Sequence, residues 1–178
     1  VDTALKIAAV WACVRLKAQT ISSLPLHLRD QDNKIAHGHN IYRLLHKAPN
    51  ADMGPSEFKE VISSSLDLWG NFYAQIVRSG SRIISLEILS AEEMTVERTK
   101  SGVIRYVYKE DEVFSEADIL HIRGFTLDGL VGLSPIQYAA QTLGAQMDAN
   151  DAAGREFASG LKTGLVIESG ERILQPEQ

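Results

Sequence analysis

Three histidines near residue 40 are the first side chains in this sequence that could do chemistry. His37 and His39 flank Gly38 in a polar stretch, with His46 and Asp32 close by. Imidazole nitrogens and carboxylates bind zinc, and bound zinc can activate water for hydrolysis. No carboxylate stands at a recognised ligand spacing, so the pattern favours solvated loop histidines. A small metal-dependent hydrolase that uses His37, His39 and a carboxylate remains an alternative.

The glycine-containing stretch 128–135 precedes a predicted helix, and helix N termini can bind phosphate. It lacks the Gly-Lys-Ser/Thr of a Walker loop and the Gly-X-Gly-X-X-Gly of a dinucleotide site. We interpret it as a turn that aims the following helix. Cys13 lies in an apolar helical stretch with no base near it in sequence, so we expect a small buried hydrophobic residue rather than a nucleophile.

The remaining titratable residues also favour structural roles. His27 and His121 fall on predicted strands, where a hydrogen bond in the interior or at an interface is favoured over catalysis. The acidic residues between 92 and 118 gather at predicted turns, as on a solvated face. No residue is predicted to be catalytic, to bind a cofactor or to ligate a metal, and the sequence therefore predicts a protein that is not an enzyme.

Composition indicates a globular chain. The 178 residues carry a net charge of −5, with 44% hydrophobic and 23% charged residues. The longest apolar run, 8–14, is far shorter than the roughly 20 residues that span a bilayer, so no membrane partner is predicted. Lys and Arg do not cluster, and the chain is therefore not expected to grip nucleic acid on its own.

The N-terminal stretch 2–21 predicts a helix, capped by Asp2 or Thr3, that is apolar nearly all round. Such a helix has to be covered on both sides, by a core or by a neighbouring subunit. Trp11 adds to that demand, and we expect it to be buried. Arg15 places a charge on one flank, where an intersubunit salt bridge or snorkelling to water would satisfy it.

Pro, Gly and Asn residues mark the boundaries of the next predicted elements. Alternating leucines with Pro25 predict an edge strand over 24–29, followed by a polar loop over 30–38. Asn40 is predicted to cap a short helix. A further helix is predicted from Pro55 to Gly70, with one apolar face made of Phe58, Val61, Ile62, Leu66 and Trp69.

From residue 71 to residue 124 the hydrophobic pattern alternates. Strands are predicted at 72–78, 83–89, 94–98, 103–109 and 119–122, with a short further candidate at 113–114. Turn signals between consecutive strands favour antiparallel hairpins. N-terminal helices, a mainly antiparallel sheet and then a long helix together predict an α+β fold.

The last helix is predicted to begin at Ser134 and Pro135, as cap and first turn, and to reach about Ser159 before Gly160. Its many alanines make it thin, so a neighbouring element can approach closely.

Beyond that helix, a strand is predicted at 165–167, and Pro176 has the character of another helix start. We therefore expect residues 1–178 to be a single α+β region of a longer chain.

The order of several motifs over residues 4–168 resembles the HK97-type family of phage portal proteins. The most specific stretch, 128–136, is similar to the family's Gly-X-X-Gly-X-Ser-Pro-Ile turn. The other resembling stretches are the opening helix and strand at 9–16 and 21–28, the Leu-Leu and Pro-Asn turn at 44–50 with Phe58 beyond it, the Gly-Asn-aromatic entry at 68–74, the Asp-Ile-hydrophobic-His strand at 118–123, and the Phe-X-X-Gly segment at 157–164.

This resemblance implies the wing-like portion of a portal subunit, with stem helices and clip after residue 178. Portal proteins of this kind form rings of about twelve subunits at one capsid vertex. They conduct double-stranded DNA non-specifically during packaging and ejection and dock the terminase large subunit and the capsid and neck proteins. The resemblance further implies no catalysis, no cofactor, and a location in the virion, with assembly in the host cytoplasm.

Six residues are the candidates for assembly or core packing: Trp11, Arg15, Trp69, Gly129, Gly132 and Pro135. A doubly apolar helix and a thin helix both suit packing between neighbouring subunits. An acidic chain suits a conduit, because a channel rich in Lys and Arg would hold DNA rather than let it slide.

A third class of protein fits the same sequence. A monomeric α+β binding module could recognise a peptide by strand addition at the 24–29 edge. Native size separates that module from a ring subunit, and metal analysis separates the hydrolase from both.

Overall fold

The structure, a computed structural model, describes residues 1–160. Helices and antiparallel strands are both present, which confirms the predicted α+β class. The chain divides into two compact units, Val1–Gln141 and Thr142–Gln178.

The elements follow one another in two groups. The helices are α1 (Asp2–Leu5), α2 (Ala8–Ser23), α3 (Asn40–His46), α4 (Pro55–Trp69), α5 (Pro135–Tyr138) and α6 (Ala140–Ala158). The strands are β1 (Asn71–Ser79), β2 (Arg82–Leu89), β3 (Met94–Arg98), β4 (Ile104–Tyr108), β5 (Glu112–Ser115) and β6 (Ile119–Arg123).

The strands lie within one residue of the predicted ends, and they pair antiparallel as predicted. They form two 3-stranded sheets, in the orders β2-β1-β6 and β3-β4-β5, where one mainly antiparallel sheet was expected. The reason is that, among the described strands, the consecutive β2 and β3 do not pair, while β6 returns to the free edge of β1 rather than pairing with β5. β1 thereby becomes a central strand.

Successive residues of β1 supply two separate hydrophobic cores, because side chains alternate between the faces of a strand. Phe72 and Ala74 pack with Phe58 of α4, and the Phe58 and Phe72 rings meet edge to face at 5.5 Å. Tyr73 packs on the other face against Tyr106 of the second sheet. Strand β1 therefore packs against α4 on one face and against the second sheet on the other.

Helix α4 follows its sequence signals closely. Pro55 is its first residue, and the backbone N–H of Gly54 donates to Glu57 Oε2 at 2.8 Å. Gly70 ends the helix with a φ of +75°, a left-handed conformation that glycine adopts without strain. Phe58 is the most deeply buried residue of the predicted apolar face.

The single helix predicted over 2–21 is wrong, because the chain breaks between α1 and α2. Ile7 adopts an extended conformation there, and neither helix receives a side-chain cap, so the caps predicted at Asp2 and Thr3 do not form. The break allows Ala4 and Ile7 both to reach buried positions. Core packing overrides the continuous helical pattern.

The edge strand predicted over 24–29 is also wrong. Within the described residues this segment makes one isolated bridge, from Arg29 to Ile35. Pro25 has no N–H to donate, and none of the described strands pairs with the segment.

Helix α3 begins one position from its expected cap. The His39 ring accepts from the backbone N–H of Ile41 at 3.3 Å, so His39 rather than Asn40 is the capping residue.

The long helix predicted after Ser134 forms as two pieces. Ser134 caps α5 as predicted, with its Oγ accepting from the Gln137 N–H at 3.2 Å. The chain then turns at Ala139 before α6, and Gly160 follows with a φ of +73°. The strand predicted at 165–167 and the helix start predicted at Pro176 lie outside the described residues.

Replacing Phe58 by Ala should lower the free energy of unfolding by about 3–5 kcal/mol, because it removes a buried ring that the surrounding core cannot replace. Urea denaturation of the full-length protein, followed by far-UV circular dichroism, measures this loss. Phe125→Ala is the control, since that ring is 76% exposed, and it should change stability by less than about 0.5 kcal/mol. Equal losses in the two variants would contradict the assigned core.

Candidate functional site

The candidate residues fall in two places: a junction where α4, β1, β6 and the loop before α5 meet, and a groove between α2 and α4. At the junction, the backbones of three glycines approach one another. Gly70 O accepts from the Gly124 N–H at 2.8 Å. A Cβ added at Gly132 would overlap Gly70 O, and one added at Gly124 would lie 3.0 Å from it. No side chain fits between the loop and the end of α4.

Asn71 holds this close approach from the side. Its Nδ2 donates to the carbonyl oxygens of Trp69 at 3.1 Å and Gly132 at 2.8 Å. Its Oδ1 accepts from the Gly132 N–H at 2.6 Å and bonds to His121 Nε2 at 3.0 Å. A carboxamide has two donor hydrogens and two acceptor lone pairs, so Asn71 uses all of its capacity. It is 8% exposed.

The hydrogen bonds of Asn71 also determine the tautomer of His121. Because Asn71 Oδ1 can only accept, His121 Nε2 carries the proton and donates. His121 Nδ1 is then the acceptor for the Tyr106 hydroxyl at 3.3 Å. The ring also stacks on Tyr73, with 4.3 Å between ring centroids. A hydrogen bond of this kind was predicted for His121 from the sequence.

Burial disfavours charge throughout this cluster. Desolvation, reinforced by the positive charge of Arg123, lowers the pKa of His121 to about 4. Burial, with a contribution from Tyr106, raises the pKa of the Tyr73 hydroxyl well above its usual value. The pKa of Tyr106 is raised as well, first by burial and then by Glu116. At neutral pH the cluster is uncharged.

Ser134 and Pro135 attach the start of α5 to the end of α4. Ser134 Oγ donates to Leu68 O at 2.6 Å while it caps α5. Pro135 is the first residue of α5, where its missing N–H costs nothing. The predicted turn is therefore a structural turn that aims a helix.

Gly129 lies in the same loop but outside the close approach. Its φ is +71°, and a Cβ added there would meet nothing within 4 Å. Asp128 Oδ1 accepts from the Leu130 N–H at 2.8 Å and from Thr126 Oγ1 at 3.0 Å. The backbone N–H of Leu130, followed by that of Val131, lowers the pKa of Asp128.

Trp11 and Arg15 line a groove between α2 and α4, with Val14, Ala18 and Val61 beside them and a volume of about 570 Å³. The Arg15 guanidinium lies 5.0 Å from the centroid of the Trp11 ring. Trp11 is 49% exposed in the single chain, so the core of this chain does not bury it, and its role in assembly stays a prediction.

Trp69, in contrast, is partly buried at the end of α4 and offers its carbonyl to Asn71. The two tryptophans therefore belong to different features, a surface groove and the junction.

The face of α2 that points away from α4 is uncovered in the described residues. Leu16 is 69% exposed, and Ala9, Ala12 and Cys13 are also exposed. The expectation that Cys13 is buried is wrong, because α4 covers one flank of α2 and no described element covers the other. The buried residues of α2 are Ala18 and Ser22.

The histidines near residue 40 do not converge. His39 caps α3, His37 meets the Tyr42 ring edge to face at 4.7 Å, and His46 stacks on Tyr42 at 3.9 Å. Over residues 1–160, no group of three or more His, Cys, Asp or Glu side chains could hold a metal ion. His27 lies outside any strand, with its ring 6.1 Å from that of His46.

The sequence motifs contained the junction residues without revealing their contacts. Asn71 and His121 both stand in the resembling stretches, but Asn71 was assigned no role and the predicted hydrogen bond of His121 was given no partner. The antiparallel register of β1 and β6, which places Tyr73 opposite His121, brings the two together. A Gly-Asn pair directly after a helix, followed later by a strand histidine, is the signal that could have found them.

The fold and the sequence of this chain both match known proteins. The chain superposes on a chain from the neck of an empty gene transfer agent particle with a TM-score of 0.68 and 26% identity, covering 94% of this chain and 48% of that one. The model of the phage portal protein family matches residues 8–178. The chain therefore belongs to the phage portal protein family.

Two curated relatives agree. The portal protein of Enterobacteria phage HK97 is 34% identical over 183 aligned positions, which cover 98% of this chain and 43% of the relative. The probable portal protein of Streptomyces phage phiC31 is 30% identical, over 93% of this chain and 39% of the relative. The chain thus spans about two fifths of the length of these relatives. Among the described residues, no helix is long and apolar enough to cross a membrane.

Replacing Gly132 by Ala should destabilise the protein by roughly 3 kcal/mol or more, because the added methyl group overlaps a fixed backbone oxygen. Gly129→Ala is the matched control: it carries the left-handed strain alone, which costs about 1–2 kcal/mol. Chemical denaturation of both variants in the full-length protein measures the difference. If Gly129→Ala proved the more damaging, the close approach at Gly132 would be refuted.

Proposed function

We propose that this chain is the wing-like part of a portal subunit, which assembles with about eleven further copies into a ring at one capsid vertex. The observation that carries the proposal is the uncovered outer face of α2 in a chain of the portal family. The solved gene transfer agent neck was computed with C6 symmetry, and a ring of twelve satisfies that symmetry.

The apolar residues on and after α2 support an intersubunit contact. Leu16, Ile21, Leu24 and Leu26 are 69%, 40%, 56% and 43% exposed. Neighbouring large apolar side chains that are exposed to solvent often mark a surface that binds another protein. In a ring each subunit contacts its neighbour through two different surfaces, so one such face can be covered without closing the assembly at a dimer.

The proposed ring conducts double-stranded DNA during packaging and ejection, and the force comes from the terminase motor docked on it. Phosphates bind clustered Lys and Arg, and a net charge of −5 makes the chain a weakly adhesive collar. Capsid and neck proteins are the other proposed partners. The proposed location is the portal vertex of the virion, and the host cytoplasm during assembly.

This role is structural and needs neither catalysis nor a cofactor. Residues 1–160 contain no cluster of side chains that could hold the metal ion of the alternative hydrolase. The alternative binding module depended on an edge strand over 24–29, which makes one isolated bridge instead. Both alternatives lose the feature that suggested them.

Negative-stain electron microscopy of the full-length protein tests the proposal directly. Top views should show rings with a central hole wide enough for a DNA duplex. Uniformly monomeric particles at high protein concentration would contradict the ring and reopen the binding module.

Replacing Leu16 by Glu in the full-length protein should reduce the yield of rings. The change removes a side chain whose burial contributes roughly 1.5–3 kcal/mol at each contact and adds a charge that would have to be desolvated. Val103→Glu is the matched control, because Val103 is 60% exposed at a hairpin. Size-exclusion chromatography with light scattering measures ring yield. Equal ring yields in both variants, with unchanged melting temperatures, would exclude the α2 face as a subunit contact.

A further inference from the structure

A second apolar surface lies on residues 125–138, the stretch that leads into α5 and includes it. Phe125, Leu127 and Tyr138 are 76%, 75% and 71% exposed. Together with Leu133 and Pro135 they line an open depression of about 410 Å³. We call these five residues the α5 patch. Because its large side chains are mostly exposed, the patch contributes little to the fold of the single subunit.

The backbone beneath the α5 patch is fixed before any partner binds. The Gly132 N–H donates to Asn71 Oδ1 at 2.6 Å, and Ser134 Oγ donates to Leu68 O at 2.6 Å. Asp128 Oδ1 holds the turn between them and Phe125, since it accepts from the Leu130 N–H at 2.8 Å. A surface that is already in place loses little conformational entropy when a partner covers it.

The α5 patch and the outer face of α2 are separate surfaces of one subunit. Helix α4 packs along α2, where Lys17 pairs with Asp67, and it holds the start of α5 at its own C-terminal end through Leu68. In the proposed ring each subunit contacts one neighbour through one surface and the other neighbour through a different surface. Two separate apolar surfaces are what such a ring requires.

The two surfaces also match in polarity and charge. Leu16 is 69% exposed and projects from the outer face of α2, so it suits an apolar depression. Helix α2 contains Arg15 and Lys17 and no acidic residue. The one charged residue in the stretch 125–138 is Asp128. The backbone N–H of Leu130 lowers the pKa of this carboxyl, which keeps it ionised. A neighbouring α2 would therefore bring cations toward an anion.

The size of the α5 patch favours a repeated contact over an isolated pair of subunits. Its large side chains expose about 400 Å² of apolar surface, if a fully exposed aromatic side chain contributes roughly 150–250 Å². A stable pair of proteins buries roughly 800 Å² on each partner. The patch alone is too small for such a pair, whereas in a ring every subunit repeats the contact and closure holds each subunit from both sides.

We propose that the α5 patch of each subunit receives the outer face of α2 from the neighbouring subunit, with the Leu16 side chain of that neighbour seated between Leu127 and Tyr138. The inference rests on the proposed ring and adds the surface that covers α2. The contact joins two different surfaces head to tail, so its repetition links every subunit to the next instead of ending at a dimer.

Disulfide cross-linking in the full-length protein tests this contact. Cys13 is exposed and stands three residues before Leu16, on the same face of α2. Leu127→Cys or Tyr138→Cys in the neighbouring subunit would therefore come within its reach, and a disulfide forms only across Cα separations of about 4.4–6.8 Å. Mild oxidation of rings should give a ladder of covalent oligomers on non-reducing gels, up to the number of subunits in the ring.

Two controls define the partners of the cross-link. Val103→Cys is the matched control, because Val103 is 60% exposed at a hairpin outside both surfaces, and it should give no ladder. Cys13→Ser in the Leu127→Cys protein should abolish the ladder, which identifies Cys13 as the second thiol. Products that stop at the dimer, or ladders no stronger than that of Val103→Cys in both patch variants, would overturn the proposed contact.

Hydroxyl-radical footprinting of the wild-type protein provides a test without engineered cysteines. Oxidation of Leu16 and Tyr138 should fall together, by about fivefold or more, when dissociated subunits assemble, because the core of an interface excludes water. Rings that protect Leu16 but not Tyr138 would overturn the α5 patch as the partner and leave the proposed ring standing. Protection of Tyr138 already in the dissociated subunit would overturn it too, because another segment of the same chain would then cover the patch. A full-length protein that forms no rings would overturn both the proposed function and this contact.

Discussion

The contact between Gly70 O and the Gly132 backbone leaves no room for any side chain, and the arrangement of four elements depends on it. Gly70 can end α4 in a left-handed conformation, Gly124 can follow β6 against it, and the loop can close over both. Asn71 then binds both sides of the approach with one carboxamide. A helix end, a sheet and the start of the next helix are thereby fixed in one small volume.

Beta strand β1 extends this constraint into the cores. It leaves the junction at Asn71, and its next residues point alternately to α4 and to the second sheet. Phe72 packs against Phe58 on one face, while Tyr73 stacks on His121 on the other. The interior around the junction is uncharged at neutral pH, whereas the outer face of α2 is apolar and is not covered by any described element. We infer that the junction fixes the internal geometry of the subunit. We infer that the outer face of α2 contacts a neighbouring subunit.

Local patterns in the sequence predicted the strands and α4, because alternation, Pro55 and Gly70 act within a few residues. They failed where tertiary packing decides. The N-terminal helix breaks at Ile7 because that side chain is drawn into the core. Cys13 is exposed because one flank of α2 stays uncovered in the described residues, and Trp11 is half exposed because it lines an open groove beside α4. The pairing of distant residues at the junction required the register of β1 and β6, which no local pattern contains.

The most direct test of the central claim, that the outer face of α2 is covered by a neighbouring subunit, uses Cys13. This exposed cysteine lies on that face, and its alkylation rate reports on access to it. The rate should be measured by peptide mass spectrometry for the full-length protein in assembled particles and in the dissociated subunit. The account predicts at least tenfold slower alkylation in the assembly. Equal rates in both states, in particles shown to be rings, would contradict it.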